Sequence, residues 1–260
     1  LNVEHTVAKP PTKIFSSPAA SHYKGNIMMK PIDIEMLLNQ TFFGLDTLAM
    51  LSDIEDFIEL SEKNIDEQKQ QELQVAERKY AEEQFEDPHL ADQYYDQMIE
   101  GIAYRFDVSL TQRVRYAALT SIITTIEWAL VALKNRATFE IPPKPGRKCD
   151  VVHLLEVFNS KASAGLTSEI QNIEVLVQVR NCIVHAAGIL SSYKHGAGLR
   201  QSISLLDGIK VSNLNLLGDA IEIERGHLQN VVEDVKCWLP RLEEAMNNTS
   251  KTIPLSPHST

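Results

Sequence analysis

Cysteine is scarce in this chain of 260 residues: Cys149, Cys182 and Cys237 are the only three, their number is odd, and no Cys-x-x-Cys pair occurs. A disulfide scaffold or a structural zinc site needs spacings that are absent, and the pattern points to a reducing, cytoplasmic setting. Long apolar runs free of charge are also missing. The best candidate, Tyr116 to Leu133, carries Glu127 and four Ser or Thr residues, so no segment is expected to span a bilayer. The N-terminus shows no basic run followed by an apolar one, so no secretory signal is expected. Basic residues are the minority, 25 against 35 acidic, for a net charge of -10. Sequence-independent nucleic-acid binding replaces phosphate counterions with basic side chains, so composition excludes a general DNA-coating role. The excess acidity is local. Asp46 to Glu100 holds 17 acidic and 4 basic residues, whereas the remainder holds 18 and 21, which leaves room for a nucleic-acid site outside the acidic segment.

The residues present, 43% apolar and 23% charged, are those of an ordinary globular chain. Residues 1–30, with Pro10, Pro11 and Pro18 and no sustained period, are expected to form a poorly ordered arm. From Ile34 through Leu37, Leu38, Leu45, Leu48, Leu51, Ile54 and Ile58, apolar residues recur at three- and four-residue steps, which predicts an amphipathic helix that Gly44 interrupts. Residues 61–106 read as an acidic helical extension, because Lys63 to Glu86 carries only a narrow apolar stripe; the plain reading of its charges is a solvated face. Asp87-Pro88 breaks the pattern, Leu90 to Phe106 resumes it, and Asp107 or Ser109 is expected to cap a long helix over Arg113 to Arg136. A Pro-rich loop at Ile141 to Gly146 ends that helix. Asp150 is expected to cap a short helix to Asn159, and Thr167 or Ser168 to open another reaching about Ala187. Residues 191–247 then predict a β-plus-helix appendage packed on the bundle. Ser202 to Leu206 and Ile209 to Ser212 form a hairpin about Asp207-Gly208, Ala220 to Glu224 is a third strand, and a helix from Gly226 to Met246 is kinked at Pro240. Residues 248–260 read as a flexible tail. The expected fold is mainly α, an up-down helical bundle over residues 31–190 with that small C-terminal addition.

Within the helix from Ser168 stands Arg180-Asn181-Cys182-Ile183-Val184-His185, followed by Gly188. Arg147 and His153 also have four to six residues between them, but Arg147 belongs to the Pro-rich loop, whereas Arg180 and His185 lie inside a strongly periodic helix. At about 100° per residue, Ile173, Leu176, Val177, Ile183, Val184 and Ala187 fall within about 60° of Arg180. Asn181 and His185 fall near about 100° and 140° from it, on a polar edge with Glu174 and Gln178. A guanidinium within an apolar stripe needs a carboxylate, the carbonyls of another helix, or a wet cleft. A snorkelling arginine with a satisfied histidine is the plain alternative. Glu127, on a polar stripe with Tyr116, Thr120, Thr124 and Lys134, reads first as a partner of Lys134 or an outward side chain, and otherwise as an ion-pair partner of Arg180 or His185.

The segment resembles the Arg-x4-6-His signature of the HEPN superfamily in its Arg-Asn-x3-His form, and Glu127-Trp128 on the preceding helix suits that family. The resemblance covers at most residues 32–190, and its specific part spans nine or ten residues. It implies an all-helical homodimer and a metal-independent endoribonuclease with no cofactor, in a toxin or phage-defence setting with RNA as substrate. It also implies an antitoxin or regulatory protein as a further partner. Arg180 and His185 would be catalytic, with Asn181 orienting the phosphate and Glu127 supporting the site. Some toxin members carry Tyr two residues after the His; Ala187 stands there, which removes the target of the antitoxins that modify it. The same superfamily contains non-catalytic dimerisation, nucleotide-binding and protein-interaction modules, which are the alternative function.

Overall fold

The computed structural model describes residues 31–83, 87–146, 149–215 and 218–251, with side chains from Leu45 onward. The expected arm at 1–30 lies outside the described residues, as does the tail beyond Lys251. The compact unit from Gln40 onward is the one described here.

The fold is mainly α with a small antiparallel hairpin followed by a last helix. Helix α1, Pro31–Glu82, runs unbroken through Gly44. Asp87 caps α2, Pro88–Ala103, by accepting a hydrogen bond from the His89 N–H at 2.9 Å, with Pro88 in the first turn where its missing N–H costs nothing. No cap divides the next two helices. Tyr104–Leu110 forms a π-helical segment that runs on into α3, Thr111–Arg136. Asp107, expected as a cap, instead pairs with Lys69 of α1 at 2.6 Å, while the neighbouring Phe106 is fully buried and holds the segment inward. Ser109 caps nothing either.

The 49-residue helical run Pro88–Arg136 is long and apolar enough to cross a membrane by length and composition alone, and half of its most apolar stretch is buried within the fold. Ala118, Leu119, Ile122, Ile123, Ile126 and Leu130 are fully buried, so that apolar run builds a core helix in this structure.

Helix α4 covers Asp150–Ala162, with Asp150 in the first turn rather than at the cap, paired to Lys144 at 2.8 Å. Helix α5 covers Thr167–Ala186 and ends on Ala187 and Gly188, both at positive φ. A side chain at Gly188 would meet the Tyr116 hydroxyl at 2.5 Å, so glycine is required by space as well as by φ. Helix α3 packs against both α4 and α5.

After a 3₁₀ turn at Leu190–Ser192, the segment expected to begin a hairpin, Ser202 to Leu206, is the end of a helix followed by a turn. Helix α6, Gly196–Ile203, buries Leu199 and Ile203 one turn apart, and that i,i+4 pair outweighs the short alternation of 202–206, whose Leu205 is 83% exposed. The true hairpin pairs β1, Ile209–Asn215, with β2, Gly218–Ile223, in the register Ile209 to Ile223 and Val211 to Ile221. Asp207-Gly208 therefore joins a helix to a strand. Helix α7, His227–Lys251, contains Pro240 and buries Leu228, Val232, Val235, Trp238, Leu239, Leu242 and Met246 against α4 and α3, so it shares the one hydrophobic core.

Arg115 of α3 ties three elements together. Its Nε donates to Glu62 of α1 at 2.7 Å and its guanidinium donates to the Ile223 carbonyl of β2, also at 2.7 Å. Both side chains of the pair are about nine-tenths buried. Such a charge is tolerable in a core because a carboxylate and a carbonyl both accept from it.

Candidate functional site

The last two turns of α5 carry Arg180, Asn181, Val184 and His185, and their exposure rises toward the C-terminus. Three contacts hold this end in place. Gly188 accepts a hydrogen bond from the Ile221 N–H at 2.9 Å, Ile189 bridges to Ala220, and Tyr116 of α3 donates its hydroxyl to the Ile221 carbonyl. Burial pushes the Tyr116 pKa above its ordinary value, so its phenol stays a donor. The hairpin thus clamps the end of the helix that carries the motif.

Arg180 approaches Glu127 of α3 at 4.0 Å, the longer of the reaches weighed from sequence and looser than a hydrogen bond. The arginine side chain is 23% exposed and the glutamate 47%, yet Nε of Arg180 is buried without a hydrogen-bond partner. One turn beyond Arg180 lies Val184, 54% exposed; one turn beyond Glu127 lies Val131, 44% exposed. Trp128, beside Glu127, is 43% exposed. Of the apolar stripe centred on Arg180, the earlier turns at Ile173, Leu176 and Val177 are buried. At the C-terminal turns the same stripe opens to solvent.

Asn181 and His185 face elsewhere, as their angular offset requires. They line an open groove of about 1010 Å³ with Glu174, Gln178, Lys194 and His195, bounded by α6 and the start of α4. Arg180 does not line it. Within one chain, then, the arginine and the histidine of the motif serve two different surfaces. Cys182, between them in sequence, is buried, and burial pushes its thiol up to about 11, so it is not a nucleophile.

The competing pair is ruled out as a site by its histidine. His153 is buried, and its Nε2 lies 3.0 Å from the Pro142 carbonyl, a satisfied core imidazole; Arg147 lies outside the described residues. Nothing in the sequence pattern placed Lys194 or His195 beside Asn181 and His185, where the structure puts them. Sequence reasoning also missed a second cavity, about 330 Å³, between α5 and α7, lined by His227, Trp238, Asp207 and Asp234. The ring of His227 lies where a side chain at Gly208 would stand, its Nε2 is buried without a partner, and burial lowers its pKa against the opposing pull of Glu224, Asp207 and Asp234. Among the described residues, no group of three or more His, Cys, Asp or Glu side chains is placed to hold a metal ion. No family model, curated protein or solved structure matches this chain.

Proposed function

We propose that this chain is a metal-independent endoribonuclease of the HEPN type, in a toxin or phage-defence setting, working as a symmetric dimer. One observation carries the reading: the last two turns of α5 hold Arg180, Asn181 and His185 of the Arg-Asn-x3-His sequence outside the core, with the Arg180 Nε buried and unpaired. A buried donor without a partner calls for an explanation. In the reaction, the 2′-oxygen of a ribose bonds to the adjacent phosphorus and the bond from phosphorus to the 5′-oxygen breaks. His185 transfers a proton, the task a positioned imidazole most often performs in catalysis. Arg180 stabilises the charge on the phosphorane, and Asn181 orients the phosphate. The two side chains face different surfaces of one chain, so a site using both takes Arg180 from a second copy. The exposed Trp128, Val131 and Val184 supply the apolar face that such a copy would cover.

The approach of Glu127 to Arg180 favours a second reading. In it, the pair fixes α5 on α3 and the chain is a non-catalytic dimerisation, nucleotide-binding or protein-interaction module. Incubating the purified chain with total RNA separates the two. Cleavage should yield 2′,3′-cyclic phosphate ends and persist in EDTA, and His185→Ala should lower the rate by about 10²–10⁴-fold without altering association. Wild-type cleavage by His185→Ala or full dependence on added Mg²⁺ would overturn this mechanism, and no cleavage at all would leave the non-catalytic module standing.

A further inference from the structure

The groove beside α5 holds more chemistry than the motif accounts for. Two imidazoles line it, His185 from α5 and His195 from the loop before α6, and Lys194 stands between the second of them and the 3₁₀ turn. The ring of Tyr193 meets the ring of His195 edge to face, with centroids 5.7 Å apart and planes at 77°, which restricts how the imidazole turns. The charged lining is one ammonium, Lys194, and one carboxylate, Glu174. Gln178, Asn181, Gln201 and Ser202 add neutral hydrogen-bonding groups. In a chain of net charge -10, this surface escapes the excess of carboxylates that would repel a phosphodiester.

We propose that His195 is a second proton-transferring residue of the ribonuclease reaction, paired with His185 across this groove, and that Lys194 holds the scissile phosphate. The proposal rests on the ribonuclease reading above but does not require the dimer, because every group it uses comes from one chain. Attack by the 2′-hydroxyl asks for two proton movements. One imidazole, neutral, takes the proton of the 2′-hydroxyl as the new O–P bond forms. The other, as imidazolium, gives a proton to the 5′-oxygen as its bond to phosphorus breaks. The products are a 2′,3′-cyclic phosphate and a free 5′-hydroxyl, and the protein as a whole neither gains nor loses a proton. A single histidine would have to perform both tasks in turn, whereas two in different protonation states perform them together.

The test uses the full chain, its His185→Ala and His195→Gln variants, and two RNA dinucleotide substrates, one natural and one with sulfur in place of the bridging 5′-oxygen. The sulfur leaves as a thiolate and needs no proton. His195 is exposed, so its substitution should leave the fold unchanged, as circular dichroism will show. On the natural substrate His195→Gln should lose about 10²–10⁴-fold in rate, as His185→Ala does. The bell-shaped pH dependence of the wild type should lose one limb in each variant. Glu174, Cys149, Tyr193 and Lys194 are the other titratable groups lining the groove, and they remain in both. One variant, and only one, should recover on the sulfur substrate, which identifies the proton donor. Wild-type cleavage of natural RNA by His195→Gln overturns the proposal, and so do equal losses on both substrates in both variants, since neither imidazole of the pair then protonates the leaving group. Either result leaves the ribonuclease reading intact. A wild-type chain that cleaves neither substrate removes that reading and this proposal with it.

Discussion

Arg115 and Arg180 stand on neighbouring helices and each approaches a carboxylate, yet their surroundings differ in every respect that matters energetically. Arg115 meets Glu62 at 2.7 Å and the Ile223 carbonyl at the same distance, with both charged side chains about nine-tenths buried. Arg180 meets Glu127 only at 4.0 Å, is 23% exposed, and keeps a buried Nε without a partner. The first arrangement satisfies a charge where water cannot reach and joins α1, α3 and β2. The second leaves hydrogen-bonding capacity unspent at the edge of an exposed apolar face. Arg115, buried and paired, serves the fold, and the donor that Arg180 leaves over is the one the proposed function would use.

The largest expected effect tests the first half of that contrast. Arg115→Ala leaves Glu62 buried with Arg225, itself 64% exposed, as its remaining cation at 3.2 Å, and should cost about 3–5 kcal/mol of stability by urea unfolding. A loss below about 1 kcal/mol would show that the junction is better solvated than its burial implies. Arg180→Ala should instead change stability by no more than about 1 kcal/mol, the range for a solvent-screened pair, while abolishing RNA cleavage. Sizing of wild type and variant tells whether the proposed self-association is lost as well. A large loss of stability with cleavage retained would make Arg180 a second Arg115 and end the contrast.

The smallest effect concerns His227, whose Nε2 is also buried without a partner. An imidazole differs from a guanidinium in being able to shed its charge, and burial lowers its pKa from the ordinary 6.5. Below pH 6.5 the unfolded chain therefore binds a proton that the native chain refuses, until the lowered native pKa is passed. The contribution of this residue to stability is thus complete above pH 6.5 and declines as the solution is acidified through that window. Denaturant midpoints between pH 7.5 and about 5.5 should fall for the wild type and flatten for His227→Gln. Identical pH dependence in the two would show that the cavity around His227 is wet enough to host the charged ring.

Much of the site was legible because helix geometry is local. Residues 178, 181 and 185 share one edge at about 100° per residue, and that edge does line a groove. What the groove contains beyond them was not legible, because Lys194 and His195 come from a loop whose direction is set by Gly196, where a side chain would strike the Leu190 carbonyl at 2.0 Å. The cavity at His227 was hidden for a similar reason, since it exists only where α7 returns to α5.

Apolar periodicity alone determined the helices of this protein, α3 and α5 most firmly, because a stripe of Ile, Leu and Val every three or four residues has no other way to leave water. Asp87-Pro88 likewise set the start of α2 by itself, through a cap and a ring that need only their own neighbours. Tertiary packing decided the rest. Asp107 looked like a cap until Lys69, 38 residues away, took its carboxylate. Residues 202–206 looked like a strand until Leu199 and Ile203 found a core to enter. Arg180 stood in an apolar stripe with a carboxylate, helix carbonyls or a wet cleft all open to it, and the packing of α3 against α5 brought it to Glu127. In each case the local preference is worth a fraction of a kcal/mol to about one, and a single long-range contact or buried side chain is worth as much or more.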